Sequence, residues 1–316
     1  MFSVVSFFCG CGGLDLGFHG DYVYKGIEFP RTQFDILKAY DNDARCIVTY
    51  NQNLNPVAEQ LDLQNYKTED VPQADVLIGG FPCQDFSNAG LRKGLSSERG
   101  RLYKAMTRYM RKYQPKVVVG ENVLGLGRKF RDGVDALAVI KKDLQNCGYR
   151  VEVWQMYAPD YGVPQTRGRL IIIAVRRDLA GFPVKPVPMF EQGHYRSSKW
   201  AIEDLENIVD ESVPNQSQYF KALKATSGDG QGDEVTQADQ PSFTIRATPR
   251  SRIQFHYKLD RRLTMRECAR MQTFPDTFVF PFASMTTTIK QIGNAVPPML
   301  GSVVAQSIQK FLEDQR

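Results

Sequence analysis

The chain has no apolar run approaching the ~18–20 residues that a bilayer-spanning helix needs, so nothing in it reads as a membrane segment. Its first residues, "MFSVVSFFCGCGG", lack a basic leader and a small-residue cleavage site, and read as a buried first strand rather than a secretion signal. Cysteine is scarce: six in 316 residues, with no C-x-x-C pair, only a C-x-C at Cys9 and Cys11, and no histidine cluster beside them. Structural zinc and a disulfide framework are therefore poor readings, and the expectation is buried, reduced thiols and no metal. Internal repeats are also missing. Between 182 and 262 no long periodic segment occurs, and no cysteine.

What is present is a globular composition, 42% hydrophobic and 24% charged, in a chain long enough for one large domain and a smaller one. The net charge of +5 is unevenly spread. Twelve Lys and Arg lie between Arg92 and Arg131, opposed only by Glu98 and Glu121, and a second cluster (Arg246, Arg250, Arg252, Lys258, Arg261, Arg262) is opposed by Asp260 alone. A charge run is usually a solvated face, but two of this strength favour a polyanionic partner.

Periodicity places strands at 3–8, 34–40, 74–80, 116–120, 150–157 and 169–175, and helices after the first glycine turn, at 101–113, at 134–146, at 263–272 and from about Pro298. This alternation predicts an α/β fold with a mostly parallel sheet covered on both faces. The loop between 157 and 169 is too short for a crossover, so the last two strands should pair antiparallel. The irregular stretch 182–262 reads as a second domain after a first of 1–181, with 263–316 returning to the first.

In open α/β sheets ligands bind beyond the carboxyl ends of the strands. Four features fall at that edge: the turn Gly10–Gly13, Asp41, Cys83 just after "ADVLIGGFP", and Glu121 just after "KVVVG". The antiparallel pairing would bring Arg167 and Arg169 to the same edge. Taken singly, each residue could be structural. Together they predict one site holding a thiol able to act as a nucleophile, a carboxylate whose partial burial would let it donate a proton, and guanidinium donors.

The ordered blocks "FFCGCGGLDLGF" (7–18), "GGFPCQDFS" (79–87), "GENV" (120–123), "DYGVPQTRGR" (160–169), "LTMRECARMQTFPD" (263–276) and "QIGNAVPP" (291–298) closely resemble the DNA (cytosine-5) methyltransferases of bacterial type. The resemblance implies a Rossmann-like methyltransferase domain that binds S-adenosylmethionine, released as S-adenosylhomocysteine. Phe8, Gly10, Cys11, Gly12 and Gly13 would cradle it. Asp41 beside Asn42 would meet the ribose, Asp62 beside Leu63 the adenine, Pro82 the pocket wall, and Asn294 with Ala295 the methionine part. Where the family commonly has Glu and an aromatic residue, this chain has Asp41 and Asn42. It also carries a longer stretch at about 20–33.

The resemblance further implies that Cys83 attacks C6 of a flipped-out cytosine, that Glu121 stabilises N3, and that Arg167 holds O2 with Arg169 ordering the pocket. Loop 84–99, with Ser87 and Arg99, would close over the base. The 182–262 region would be a target-recognition domain, with Gln165, Thr244, Arg246, Arg250 and Arg252 toward duplex DNA. A monomer in the bacterial cytoplasm, at the nucleoid, is expected, with a companion restriction endonuclease as a possible partner. The same blocks leave a transfer-RNA methylating relative or an inactive DNA-binding relative as alternatives. The missing cysteine in 182–262 and the intact Cys83, Glu121, Arg167 and Arg169 weigh against them.

Overall fold

The computed structural model describes residues 1–82, 102–128, 135–221, 234–247 and 253–316. Its strands are β1 (Phe2–Phe7), β2 (Tyr22–Tyr24), β3 (Ile27–Phe29), β4 (Phe34–Asp41), β5 (Ala58–Gln60), β6 (Val76–Gly79), β7 (Val117–Val123), β8 (Tyr149–Tyr157), β9 (Gln165–Thr166), β10 (Gly168–Arg176) and β11 (Ser242–Phe243). The helices are α1 (Gly13–His19), α2 (Ala44–Asn53), α3 (Lys104–Tyr113), α4 (Ala136–Gln145), α5 (Ser198–Ile202), α6 (Met265–Met271), α7 (Met285–Asn294) and α8 (Pro298–Glu313).

Seven strands make one sheet in the order β5-β4-β1-β6-β7-β10-β8. The pairs β5–β4–β1–β6–β7 are parallel, and β10 runs antiparallel to both neighbours, Arg169 opposite Val123 and Met156. The short loop thus returns the chain to the edge where β1, β4, β6 and β7 end, as its length requires.

Successive residues of the central strands point to opposite faces. Val4, Val76, Val119 and Ile173 join a core with α1, α6, α7 and α8, whereas Val5, Leu77, Val118 and Ile172 join one with α3 and α4. Ala201, Ile202, Leu205, Ile245 and Ile253, all from the 182–262 stretch, lie in the first of these cores. Their apolar burial is shared with α6 and α8.

Three helices escaped the periodicity, the short α5 and the longer α2 and α7. The longer two each open on a side-chain cap: Asp43 accepts from the Arg45 N–H at the start of α2, and Ser284 accepts from the Thr287 N–H at the start of α7. The unassigned stretch at 20–33 contains the hairpin β2–β3, which straps the sheet to later segments. The Tyr22 hydroxyl meets Ser302 Oγ at 3.0 Å, the Tyr24 hydroxyl donates to the Arg270 carbonyl at 2.6 Å, and Lys25 pairs with Asp204 at 2.7 Å.

Helices α1 and α8 approach so closely that a Cβ on Gly17 would sit 2.6 Å from backbone atoms of Pro298, Gly301 and Ser302, and one on Gly301 would sit 3.2 Å from the Leu14 carbonyl oxygen. Alanine normally stabilises a helix interior by about 1 kcal/mol over glycine. Here overpacking should win: in urea denaturation, Gly17→Ala loses about 1–3 kcal/mol and Gly301→Ala distinctly less.

Candidate active site

The carboxyl edge of the sheet opens into a cavity of about 450 Å³. Its wall includes Phe8, Gly10, Cys11, Gly13, Asp41, Asn42, Asp62, Leu63, Pro82, Asn294 and Ala295, together with Glu121. These are residues from β1, β4, β6, β7 and the end of α7, gathered from opposite ends of the chain. Gly12 is not in the wall. Its φ of 93° turns the chain into α1, and a Cβ there would strike Leu54 and Tyr50, so its glycine serves packing behind the pocket. Phe8 and Gly10 also have positive φ, 56° and 54°.

Asp41 holds this turn in place. One carboxylate oxygen accepts the Gly10 N–H and the other the Asp43 N–H, each at 2.9 Å. Burial pushes its pKa up. Asp62 is exposed and caps its own loop, accepting from the Gln64 N–H and from Asn65 Nδ2. That loop is pinned from outside by Arg108 of α3, which donates to the Leu63 and Gln64 carbonyls and stacks over Tyr66, while Lys112 pairs with Glu69. Two cations of the basic run therefore brace the cavity wall.

At the opposite side Glu121 is 8% exposed, and the Arg169 Nε lies 2.6 Å from its Oε1. Asn122 Nδ2 donates to the Phe81 carbonyl at 3.0 Å, which joins the end of β7 to the turn that leads into Pro82. The cavity and the Glu121–Arg169 pair meet at Pro82 and Gly80, where a Cβ would be 3.2 Å from Glu121 Oε2.

Three expectations meet a different geometry. Arg167, expected to grip a ligand, is 2% exposed, and its guanidinium donates to the carbonyls of Ile245, Gly293 and Ala295 at 3.0–3.3 Å. Arg167 precedes β10, whereas Arg169 lies within it, paired opposite Val123 of the strand that carries Glu121, so Arg169 is the arginine that reaches the carboxylate. Gln165, expected at a nucleic-acid surface, is fully buried: it donates to the Met271 carbonyl and Gln272 Oε1 and accepts from the Ile245 N–H. Thr244 is partly buried, and its hydroxyl donates to the Thr166 carbonyl. All three tie β9 and the start of β10 to the 242–247 segment. Arg246 is half-buried in that segment, beside the Gly293 backbone. Cys83, Ser87, Arg99, Arg250 and Arg252 lie outside the described residues.

Several wall residues were given no role from the sequence: Ser6, Cys46 and Lys290, and also Asp15 and Gln291, which lie within the quoted blocks. Lys290 Nζ is 3.0 Å from Asp43 Oδ2, an ion pair across the cavity rim between α7 and the cap of α2. Beneath the floor, Asp15 is fully buried and accepts from Ser6 Oγ and the Tyr50 hydroxyl. Burial pushes its pKa up to about 7 against the lowering effect of those two donors.

A family profile described as C-5 cytosine-specific DNA methylase matches residues 2–310. The Type II methyltransferase M.FnuDI of Fusobacterium nucleatum is 32% identical over 344 residues, covering 99% of this chain and 95% of its own length. M.NgoFVII of Neisseria gonorrhoeae, also a Type II methyltransferase, is 32% identical over 98% of this chain and 87% of its own. Among solved structures, the S. pombe Dnmt2 methyltransferase superposes with a TM-score of 0.72 at 18% identity, over 99% of each chain, a likeness of fold.

Two outcomes test the geometry. Breaking a buried ion pair strands the remaining charge. Glu121→Gln and Arg169→Met should therefore each lose about 2–4 kcal/mol in chemical denaturation, and the double variant less than their sum. For Asp15, a raised carboxyl pKa means that the folded state holds its proton longer than the unfolded chain does. Its contribution to stability is thus complete below the ordinary carboxylate range and is lost as pH rises to about 7. Melts of the ligand-free protein from acid to neutral pH should show this decline, and Asp15→Asn should remove it.

Proposed function

The chain belongs to the C-5 cytosine-specific DNA methylase family, and from that premise we propose how its residues divide the work of a DNA (cytosine-5-)-methyltransferase. The observation that carries the proposal is the meeting of two sites at Pro82. The cavity behind the glycine turn ends there, the Glu121–Arg169 pair stands beside it, and Cys83 is the next residue in the chain.

The cavity suits S-adenosylmethionine on two grounds. Its volume is within the range of small-ligand sites. Its described wall carries five carboxylates, Asp15, Asp41, Asp43, Asp62 and Glu121, against the single cation Lys290, a surplus that favours a positively charged ligand. The cofactor, bound there, would supply an electrophilic methyl group. Leu61, Leu63 and Phe8 offer the apolar wall for a base, Asp62 an acceptor for its amino group, and Asn294 and Ala295 close the far end.

Cytosine C5 is a weak nucleophile. The Cys83 thiolate would add to C6, and the electron pair released into the ring would leave C5 able to take the methyl group. Glu121 would face N3, hydrogen-bonding the ring as charge builds there. Arg169 holds the Glu121 carboxylate in position. Loss of the C5 proton and departure of the cysteine would restore the aromatic ring. Arg167 belongs to this scheme as a positioning residue, fixing Ile245 and the 293–295 turn. The target base must leave the stack to reach such a pocket, at a cost of a few kcal/mol. Duplex DNA would be gripped by the basic segments, with 182–262 reading the bases around the target. We assign a monomer working at the bacterial nucleoid in the cytoplasm, with a restriction endonuclease of matching specificity as its companion.

The test is a trap. Duplex DNA with 5-fluorocytosine at the target, incubated with enzyme and S-adenosylmethionine, should give a covalent complex on a denaturing gel, and Cys83→Ala should give none. An adduct of equal yield from Cys83→Ala defeats the assignment. Methyl transfer to transfer RNA but not to DNA would reverse the choice of substrate. Arg169→Lys should slow turnover, because a flexible ammonium holds the carboxylate less rigidly than a guanidinium that also donates to the Gly168 carbonyl. Arg167→Lys should act mainly through stability.

A further inference from the structure

The carboxylates around the cavity are not equivalent. Asp43 is paired with Lys290 and Glu121 with Arg169; Asp62 stands in solvent; Asp41 accepts two backbone N–H groups. Asp15 alone is 0% exposed and, among the described residues, without a cation in contact. It sits in the first turn of α1, facing Ser6 of β1 and Tyr50 of α2, with Cys9 and Cys11 of the glycine turn and Asp41 at the end of β4 as the other titratable groups around it. An ionised carboxylate sealed from water with no counter-charge is costly.

The ligand assigned to this cavity changes charge in the reaction. S-adenosylmethionine carries a sulfonium, an ammonium and a carboxylate, and is a net cation. S-adenosylhomocysteine has lost the sulfonium charge and is net neutral. We infer that Asp15 is the buried counter-charge of the methyl donor: it gives up its proton to solvent when the sulfonium form binds and takes one back from solvent once methyl transfer has removed that charge. The inference rests on the cofactor reading above and adds to it a residue that makes the pocket prefer donor over spent product. The neighbours leave Asp15 as the main switch. Burial pushes Cys9, Cys11 and Tyr50 up, so they stay neutral at physiological pH, and the Gly10 and Asp43 N–H groups oppose the upward shift of Asp41. In the ligand-free pocket Asp15 titrates at about 7, close enough to neutrality for a ligand charge to decide its state.

Isothermal titration calorimetry of the whole protein decides the matter. Both ligands are titrated between about pH 5.5 and about pH 7, in buffers of different ionisation enthalpy. Their own amino groups stay largely protonated over that range. S-adenosylmethionine should release close to one proton per site at the acid end, and its affinity should rise by up to about tenfold per pH unit. S-adenosylhomocysteine should show little of either. Asp15→Asn should abolish the proton release and lower the donor-to-product affinity ratio at neutral pH on the order of a hundredfold, because releasing most of a proton at the acid end requires the pK to fall by about two units or more on binding. Tyr50→Phe removes a donor to the carboxylate and should move the midpoint of the pH profile upward. Equal pH response for the two ligands in the unmodified protein, or proton release that survives Asp15→Asn, overturns the inference and leaves the cofactor reading standing. Should Asp15→Asn fail to fold, an unmoved midpoint in Tyr50→Phe overturns it equally. Failure of either ligand to bind at any pH would instead sink the cofactor reading.

Discussion

The Arg167 guanidinium is the contact on which the rest of the site depends. It lies at the junction of three segments distant in sequence and donates to the carbonyls of Ile245, Gly293 and Ala295. Buried carbonyls need donors, and the end of α7 has C=O groups that its own helix cannot satisfy. An arginine offers a planar fork that can serve several acceptors at once. Gln165, two residues away, extends the same seam with its bonds to Ile245, Met271 and Gln272. Together with Gln272, which also donates to the Ala295 carbonyl, these donors hold the 293–296 turn beside the glycine turn, where Gly13 leaves room for the Val296 carbonyl. One wall of the cavity is therefore positioned by side chains that do not line it.

The same device recurs in α6. The run "MRECARM" is buried at every position although it holds two arginines and a glutamate. Arg266 donates to the carbonyls of Pro214, Pro275 and Phe278; Arg270 pairs with Asp204 and Asp276; Glu267 closes a capping box with Thr264 and takes both terminal nitrogens of Arg261. Irregular chain cannot satisfy its own backbone groups, and much of 182–282 is irregular. Buried guanidinium groups take the place of the missing ladder bonds. This is why a segment rich in charge sits in the interior, and why 182–262 shares one core with α6 and α8.

How far the site could be read from sequence follows from the range of each interaction. The sheet and its one reversed strand were legible because period-2 alternation and loop length are local properties, and β10 had no other way to return. Asp41, Glu121 and the glycine turn were legible because strand ends place residues at one edge. The choice between Arg167 and Arg169 was not. It depends on how the residue between β9 and β10 meets the end of α7, a partner more than a hundred residues away. Asp15 was invisible for the same reason: in "GGLDLGF" it looks like a helix N-terminal acid facing water, and only the approach of Tyr50 from α2 seals it in. Basic residues misled in the other direction. Arg108 and Lys112 read as part of a polyanion-binding face, yet both are engaged in bracing the loop 61–69.

These facts bear on what the cavity can discriminate. A pocket for a cation could be built from exposed carboxylates, but water would screen them and the preference would be weak. Burial makes a charge count for more, because the field of a sealed carboxylate is carried by low-dielectric surroundings. Burial also makes that charge expensive to keep when the ligand is absent. A group poised between its two protonation states avoids the conflict: neutral under an empty floor, charged under a cation. The hydroxyls of Ser6 and Tyr50 set that poise, since each stabilises the ionised form without supplying a permanent counter-charge. Replacing either with a lysine would pair the carboxylate for good. The floor would then carry the same net charge before and after methyl transfer, and nothing beneath it could respond to the charge that the reaction removes.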